Sequence, residues 1–297
     1  MPKLVSNLMR AQIALLNPLF KRMDLSTMRK LQDMLGGLGA RVVTDAVSFE
    51  DAPFDVFDAV WAIPKAAAAG KAILYLHGGS YTAGSLAYCK GFGGLLAEQT
   101  GYATLCVAYR LAPEHPFPAA LDDALGAYRF LLESRQPGDI ALVGESAGGG
   151  LCYCLALQLR EMGLALPACI VALSPWTDLT LASPSCTENL PLEPLLNKEG
   201  LAYSAQLYGG TDLENPLISP LFGDMTGLPP SLIYAGTHEI LEDDSVLMAK
   251  KLTSAHCACE LHVAEGMWHA YVLYGIPEAR EAIERMNEFI TEALRHG

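Results

Sequence analysis

Ser146 lies in a pattern of residues that can make a serine nucleophilic. Residues 144–148 read Gly-Glu-Ser-Ala-Gly and fit G-x-S-x-G, the pattern of a sharp turn from a strand into a helix. The apolar run 140–143 comes directly before the pattern, and a helical stretch, 149–161, follows it. Glycines beside such a turn let the backbone come close without a Cβ clash. The sequence therefore makes Ser146 a candidate nucleophile.

A second motif, upstream, is suited to stabilising negative charge. Residues 77–81 read His-Gly-Gly-Ser-Tyr and close the predicted strand 71–76. In hydrolases with this serine turn, such a loop offers backbone N–H groups to the developing oxyanion, together with the N–H of the residue after the nucleophile. We therefore predict an oxyanion hole made by Gly78, Gly79 and Ala147.

The serine also needs a base, because a hydroxyl is a poor nucleophile at neutral pH. In proteins with this turn the acid and then the histidine follow the serine along the chain. The histidines downstream of Ser146 are His238, His256, His262, His269 and His296. His262 alternates within a predicted strand, His256 lies in a helix-to-strand turn and His296 is almost at the chain end. His269 lies on a loop after the last predicted strand.

Three further segments carry a family resemblance. Residues 109–120 read Tyr-Arg-Leu-Ala-Pro-Glu-His-Pro-Phe-Pro-Ala-Ala, residues 174–178 read Ser-Pro-Trp-Thr-Asp, and residues 227–230 read Gly-Leu-Pro-Pro. With the two motifs above, they resemble the bacterial hormone-sensitive-lipase-like carboxylesterases of the α/β-hydrolase superfamily. The resemblance covers most of the chain from about Lys71 onward. It implies an α/β-hydrolase fold and a serine esterase.

The resemblance also assigns the base and the acid. The family's histidine lies on the loop after the last strand, as His269 does. The family's acid is usually the first Asp of D-P-L-x-D, and residues 239–243 here read Glu-Ile-Leu-Glu-Asp. The acid position therefore belongs to Glu239, with Asp243, which matches the second Asp, as the alternative. A match shifted by one residue would use His238, which cannot orient an imidazolium as a carboxylate does.

Two residues depart from the family's motifs. Ser80 stands where the oxyanion loop usually has a third glycine, and Glu145 stands where the serine turn usually has Asp. Because backbone N–H groups form the hole, neither side chain is expected to be required by the chemistry.

The implied reaction is two-step acyl transfer, in which short- to medium-chain acyl esters are hydrolysed through an acyl-enzyme on Ser146. It needs no metal and no organic cofactor. An amidase or deacetylase with the same three catalytic residues is the alternative, since these residues do not distinguish ester from amide leaving groups. A non-catalytic small-molecule-binding protein of the same fold is a second, less favoured alternative.

Composition narrows the range of partners. The formal charge of −13 argues against nucleic acid and anionic membranes. The longest uncharged stretch, 162–177, contains two prolines and does not predict a membrane span. The eight cysteines are scattered, which favours free thiols over a metal site or a disulfide framework. We expect a cytoplasmic protein that binds a small ester, and the resemblance makes a homodimer plausible.

Alternation of strand-like and helical runs from residue 70 onward predicts an α/β fold with a mostly parallel, eight-stranded sheet covered by helices on both faces. Six predicted strands are 73–76, 103–109, 140–143, 169–173, 232–235 and 259–263. Two earlier runs, 42–49 and 55–63, alternate apolar and polar residues as an exposed antiparallel edge hairpin would.

Two segments fall outside the predicted sheet. Residues 1–40 contain two helical patterns, the second of which is expected to stop at Gly36-Gly37. Residues 179–210 form a Pro-rich insertion within the hydrolase core, which is predicted to span 41–297. In the resembling family these two pieces form a helical cap over the active site, so we expect the same here.

Overall fold

A computed structural model describes residues 2–20, 24–43 and 45–296. Its strands are β1 (Val47–Ala52), β2 (Asp58–Pro64), β3 (Ala72–Leu76), β4 (Ala103–Ala108), β5 (Ile140–Glu145), β6 (Cys169–Leu173), β7 (Ser231–Gly236) and β8 (Cys259–Ala264). Its α-helices are α1 (Pro2–Phe20), α2 (Leu25–Val42), α3 (Leu86–Thr100), α4 (Ala119–Leu132), α5 (Ala147–Glu161), α6 (Ser185–Glu188), α7 (Lys198–Gly209), α8 (Glu242–Ser254) and α9 (Pro277–His296).

The eight strands form one sheet in the order β1-β2-β4-β3-β5-β6-β7-β8. β1 pairs antiparallel with β2, and β2 pairs antiparallel with β4, whereas all other neighbours are parallel. The predicted fold class is therefore confirmed, and so is the antiparallel hairpin at one edge.

Each central strand is apolar on both faces because helices cover both sides of the sheet. In β3, Leu74 and Leu76 pack into the core shared with α4, α5 and α8. Ile73 and Tyr75, which point the opposite way, pack into the core shared with α3 and α9. The alternation of neighbouring residues between the two cores follows from the two-residue period of a strand.

The parallel register brings the functional segments to one edge of the sheet. Glu145 at the end of β5 lies beside Leu173 of β6, which in turn lies beside Tyr234 of β7. The loops that follow these three strands therefore leave the sheet next to one another. They contain Ser146, Ser174 and Glu239.

The predicted helix stop at Gly36-Gly37 is wrong, since α2 continues to Val42 and β1 begins only at Val47. Glycine is present here for close packing. A Cβ on Gly36 would lie 2.2 Å from Tyr88 Cα, and one on Gly39 would lie 3.2 Å from Gly91 Cα. The absent side chains let α2 lie directly against α3.

Within the predicted cap, residues 1 and 21–23 lie outside the described part of the chain. α1 and α2 occupy the rest of the N-terminal segment, while α6 and α7 lie in the insertion 179–210. Across the described ranges, no helix is both long enough and apolar enough to cross a membrane.

Candidate active site

Ser146 occupies a tight turn between β5 and α5, in a backbone conformation that few serines adopt. Its φ is 54° and its ψ is −122°, and its N–H donates to Leu173 O at 2.9 Å. A Cβ on Gly148 would lie 2.0 Å from Leu76 O, so only glycine fits there. Close packing of the surrounding backbone therefore maintains a strained conformation, a feature typical of functional sites.

His269 and Glu239 form a buried hydrogen-bonded pair beside this turn. His269 Nδ1 lies 2.8 Å from Glu239 Oε2, and the two side chains are almost fully enclosed. Glu239 is an acceptor in this pair, so Nδ1 carries the proton and Nε2 is the basic nitrogen of the neutral ring. The pair is arranged as the acid and base of a serine hydrolase would be.

The other oxygen of Glu239 is held from two sides. Gly236 N–H at the end of β7 donates to Glu239 Oε1 at 2.6 Å, and Ser174 Oγ donates to the same atom at 3.0 Å. Ser174 Oγ in turn accepts the N–H of Ala270, the residue after the base, at 2.9 Å. Ser174 thus ties the acid to the backbone that carries His269.

Three carboxyl groups influence the basicity of His269. Burial alone would lower the pKa of His269, but the hydrogen bond and charge of Glu239 raise it. The charges of Glu193 and Glu145 raise it further, so that the pKa lies above its ordinary value. The surroundings therefore favour the imidazolium that forms when the ring accepts a proton.

Of the predicted nucleophile, base and acid, Ser146 and His269 keep 6% and 5% of their surface exposed, whereas Glu239 is fully buried. Neither Ser146 Oγ nor His269 Nε2 makes a hydrogen bond to any described residue. Hydrogen bonds between nucleophile and base are often long before substrate binds.

Asp243, the alternative acid, lies apart from His269 in the hydrogen-bond network. Its Oδ2 accepts the N–H of Ser185 at 2.8 Å, and its own N–H donates to Ser185 Oγ at 3.1 Å. These bonds connect the start of α8 to α6. Of the two carboxylates that the sequence proposes, the structure brings Glu239 to the imidazole.

The prediction that the Gly78 N–H contributes to the oxyanion hole is wrong. This N–H donates to Glu145 Oε1 at 2.6 Å, so it is already occupied. The N–H groups of Gly79, Ser80 and Ala147 make no hydrogen bond within the described ranges. Counting glycines in the motif does not reveal where each N–H points, whereas the positive φ values of Gly79, Ser80 and Tyr81 show a loop that turns sharply here.

Glu145 therefore has a role that the sequence did not reveal. Besides Gly78 N–H, its Oε1 accepts the hydroxyl of Tyr88 from α3 at 3.0 Å. Burial raises the pKa of Glu145 to about 7, although these hydrogen bonds oppose the shift. The side chain braces the oxyanion loop against the turn that carries Ser146.

His77 at the start of the oxyanion loop is a packing residue. Its ring is fully buried and stacks on Tyr109 with the centroids 4.2 Å apart. Burial lowers the pKa of His77 to about 4, so the ring is neutral at pH 7. Its stacking and its contact with Gly78 O support the shape of the turn.

Two further residues of the site escaped the sequence analysis. Ser174 belongs to a segment used only for the resemblance, and nothing in the pattern marks its hydroxyl as an anchor for Glu239. Glu193 is one of three glutamates in the Pro-rich insertion, and its buried carboxyl acts on the charge of His269. Both act across long sequence separations that local patterns do not record.

No metal centre is evident in the part of the chain that the structure describes, because no three His, Cys, Asp or Glu side chains are grouped to hold an ion. The eight cysteines are free thiols, as the sequence predicts, and seven of them are buried.

Comparison with known proteins identifies the class to which this fold and site belong. The model of an α/β-hydrolase-fold family matches residues 73–273. The chain therefore belongs to the α/β-hydrolase family.

Individual relatives narrow the class to esterases. The chain is 41% identical to an acetyl-hydrolase of Streptomyces hygroscopicus over 232 residues, which cover 77% of this chain and 78% of that protein. It is 36% identical to an esterase of Acinetobacter venetianus over 230 residues, covering 76% of each. A solved esterase of the bacterial hormone-sensitive lipase family superposes with a TM-score of 0.87 at 36% identity, covering 92% of this chain and 93% of that one. The chain is a hormone-sensitive-lipase-like member of the α/β-hydrolases.

Proposed function

We propose that the protein is a serine carboxylesterase that hydrolyses short- to medium-chain acyl esters through an acyl-enzyme on Ser146. Its family supports ester hydrolysis, because the relatives are named as esterases and acetyl-hydrolases. The observation that carries the residue assignment is the buried pair of His269 and Glu239, 2.8 Å apart, beside the strained turn at Ser146.

In the proposed reaction His269 Nε2 accepts the hydroxyl proton while Ser146 Oγ attacks the ester carbonyl. Glu239 keeps the other proton on Nδ1 and stabilises the imidazolium. His269 then gives its proton to the leaving alcohol, and a water molecule repeats the sequence on the acyl-enzyme. The raised pKa of His269 favours each step that forms the imidazolium.

The oxyanion of the tetrahedral intermediate needs backbone donors close to Ser146. Gly79 and Ala147 remain from the sequence prediction, and we add Ser80, whose N–H follows that of Gly79 in the same turn. Ala147 begins α5, where unpaired N–H groups and the helix dipole favour negative charge. Gly78 instead fixes the loop through Glu145.

The small exposed surface of the nucleophile supports small acyl esters as substrates over emulsified fat. Ser146 keeps only 6% of its surface exposed. Among the relatives, one from Pseudomonas putida is named an ethyl acetate hydrolase. A solved relative, EstE5, with 34% identity and a TM-score of 0.86 over 92% of both chains, was soaked with p-nitrophenyl butyrate.

The test is hydrolysis of p-nitrophenyl esters of increasing acyl length, with the matching p-nitroanilides assayed in parallel. We expect turnover of the short esters and little or none of the anilides, with a covalent serine reagent adding one group at Ser146. Preferential cleavage of the anilides would instead identify an amidase, and an unmodified Ser146 in an active enzyme would overturn the mechanism.

We also propose that residues 1–40 and 179–210 act as the cap. Arg29 of α2 donates to Thr82 O and Ala112 O at 2.7 and 2.9 Å, next to the oxyanion loop. From α7, Tyr208 stacks on Tyr81 with ring centroids 3.9 Å apart. Deleting residues 1–40 should abolish ester hydrolysis while most of the circular dichroism signal remains. Full activity of the truncated protein would contradict this role.

The edge strand β8 supports a homodimer, because one side of this strand has no neighbouring strand among the residues that the structure describes. Light scattering after size exclusion tests this, with Val263→Lys on β8 as the disrupting variant.

Eight free thiols support a cytoplasmic location, since reducing compartments preserve them. Cell fractionation tests the location.

A further inference from the structure

The cap insertion is fastened to the loop that carries the catalytic acid. We call residues 237–241, between β7 and α8, the acid loop. Ser185 Oγ donates to Ile240 O at 2.9 Å, and Asn189 Nδ2 donates to Glu239 O at 3.0 Å. The backbone at the acid and at the residue after it is therefore held by side chains from the insertion.

Glu193 makes a further buried connection. Its Oε1 accepts the N–H groups of Leu195 and Leu196 at 2.8 and 3.2 Å. Its Oε2 accepts the N–H of Ile240, the residue after Glu239, at 3.2 Å. Only 7% of the surface of Glu193 is exposed. One carboxyl thus joins the insertion to the acid loop.

A carboxylate that accepts hydrogen bonds from three neutral N–H groups is costly to bury, because burying a charge without a cation is unfavourable. No Lys or Arg forms an ion pair with Glu193 within the described ranges. Burial raises the pKa of Glu193 to about 7, and the charge of His269 is the leading influence that opposes this. Ionised Glu193 therefore stabilises the protonated imidazole of His269.

We propose that Glu193 is a positioning residue for the Glu239–His269 pair, which it serves by holding the acid loop from the cap insertion and by placing a second buried carboxylate towards the imidazolium. This inference rests on the proposed esterase mechanism. It gives the insertion a part in the chemistry, because movement of residues 193–196 would disturb the acid.

Several carboxyl groups act on His269, so a test must change the charge of Glu193 alone. His269 faces Glu239 of the acid loop, Glu193 of the insertion and Glu145 at the end of β5. Glu193 faces His269 and Glu239, and it also raises the pKa of Tyr274 near the start of α9. A change at position 193 alone leaves Glu239 and Glu145 in place.

The charge is tested by Glu193→Gln, with Glu188→Gln as the matched control on the exposed surface of the same insertion. The acidic limb of the kcat/KM profile for p-nitrophenyl acetate reports the protonation of His269 in the free enzyme. Removing a nearby negative charge lowers the pKa of His269, so we expect the limb to move to lower pH by roughly half a unit or more. The control should not move it. A folded Glu193→Gln enzyme with an unmoved limb would overturn the electrostatic role.

The position is tested by Glu193→Asp, which keeps the charge but is one methylene shorter. It cannot bond Ile240 while keeping Leu195 and Leu196, so we expect kcat to fall roughly 10-fold or more at an unchanged KM. The acidic limb should stay at the wild-type pH. An unchanged kcat would overturn the positioning role, and this variant decides the matter if Glu193→Gln does not fold.

These outcomes are distinct from failure of the esterase mechanism itself. If Ser146→Ala retains full ester hydrolysis, the proposed function fails. If Ser146→Ala is inactive and both Glu193 variants behave as the wild type, only the role of Glu193 is overturned.

Discussion

The two halves of the candidate site are built by different means. On the nucleophile side, the turn at Ser146 is held by backbone packing that admits no side chain at Gly144 or Gly148, and Glu145 of the same turn braces the oxyanion loop. On the acid–base side, Glu239 and His269 are held by side-chain hydrogen bonds from Ser174, which follows β6, and from the insertion 179–210.

This difference explains how each half is encoded. A close backbone approach demands glycine at fixed offsets, and therefore leaves a short motif in the sequence. A hydrogen bond between distant segments demands only one suitable side chain on each, as between Ser174 and Glu239, 65 residues apart. Substitutions on the two sides should therefore differ in their effects on activity and stability.

The largest effect is expected for Ser146→Ala. Loss of the nucleophile should lower kcat for p-nitrophenyl esters by about a millionfold, the size seen when the serine of a comparable triad is removed. The thermal unfolding midpoint should change little, because the hydroxyl makes no hydrogen bond to a described residue. Retention of activity would show that the motif on the nucleophile side has only a structural role.

Glu239→Gln should be next in size. The amide keeps the shape of the side chain but favours the wrong tautomer of His269, so kcat should fall by up to about 10,000-fold. Asp243→Asn is the matched control, since it removes a carboxylate only four positions along the chain. That variant should lose stability and keep most of its turnover, because Asp243 bonds Ser185.

Steady-state kinetics and urea unfolding on both variants separate these roles. An inactive Asp243→Asn with a near-normal Glu239→Gln would require the two assignments to be exchanged, despite the 2.8 Å contact between Glu239 and His269.

The sheet was predictable because six of its strands are apolar runs separated by helices and the other two alternate apolar and polar residues. Each of the eight runs overlaps a strand. The end of α2 and the start of β1 were not predictable in the same way. Gly36 and Gly37 match the pattern of a helix end, yet Gly36 faces α3 and permits close packing. A single sequence does not distinguish these two uses of glycine.

The same limit applies within the site. The serine motif led to Ser146 and the resemblance to His269 and Glu239, and these three residues follow the carboxyl ends of β5, β8 and β7. It did not reveal that Glu145 occupies the Gly78 N–H, because that depends on the direction of one peptide group. Nor did any local signal indicate Glu193, whose partners lie in another segment of the chain.

Helix α2 offers a stability test of the nucleophile side, because it packs on α3, which carries Tyr88. Gly36→Ala would place a Cβ 2.2 Å from Tyr88 Cα and should destabilise the fold by about 1–3 kcal/mol. The neighbouring Gly37 has no atom within 4 Å of an added Cβ, so Gly37→Ala should stabilise the fold by up to about 1 kcal/mol. Urea unfolding of the pair measures both, and equal effects would contradict the packing of α2 on α3.

Ser174→Ala should have a moderate effect on the acid–base side. It removes the donor to Glu239 Oε1 and the acceptor for Ala270 N–H, and we expect kcat to fall roughly 10-fold as the pair loses its alignment. Ser231→Ala is the control, since the hydroxyl of this buried serine donates to Pro229 O and lies at the other end of β7 from Glu239. Similar kinetics for both variants would show that the hydroxyl of Ser174 does not position the acid.

The smallest effect is expected for Ser80→Gly, which changes the oxyanion loop while keeping every N–H. Ser80 has a φ of 55°, a conformation that costs a residue with a Cβ roughly 1 kcal/mol and costs glycine little. The greater freedom of glycine in the unfolded chain offsets most of that gain, so stability should change by less than about 1 kcal/mol. Turnover should stay within about twofold of the wild type, because losing a true oxyanion donor costs roughly 100- to 1,000-fold. A fall of that larger size would mean that the Ser80 hydroxyl itself contacts the oxyanion, and the oxyanion hole would then include a side chain as well as backbone N–H groups.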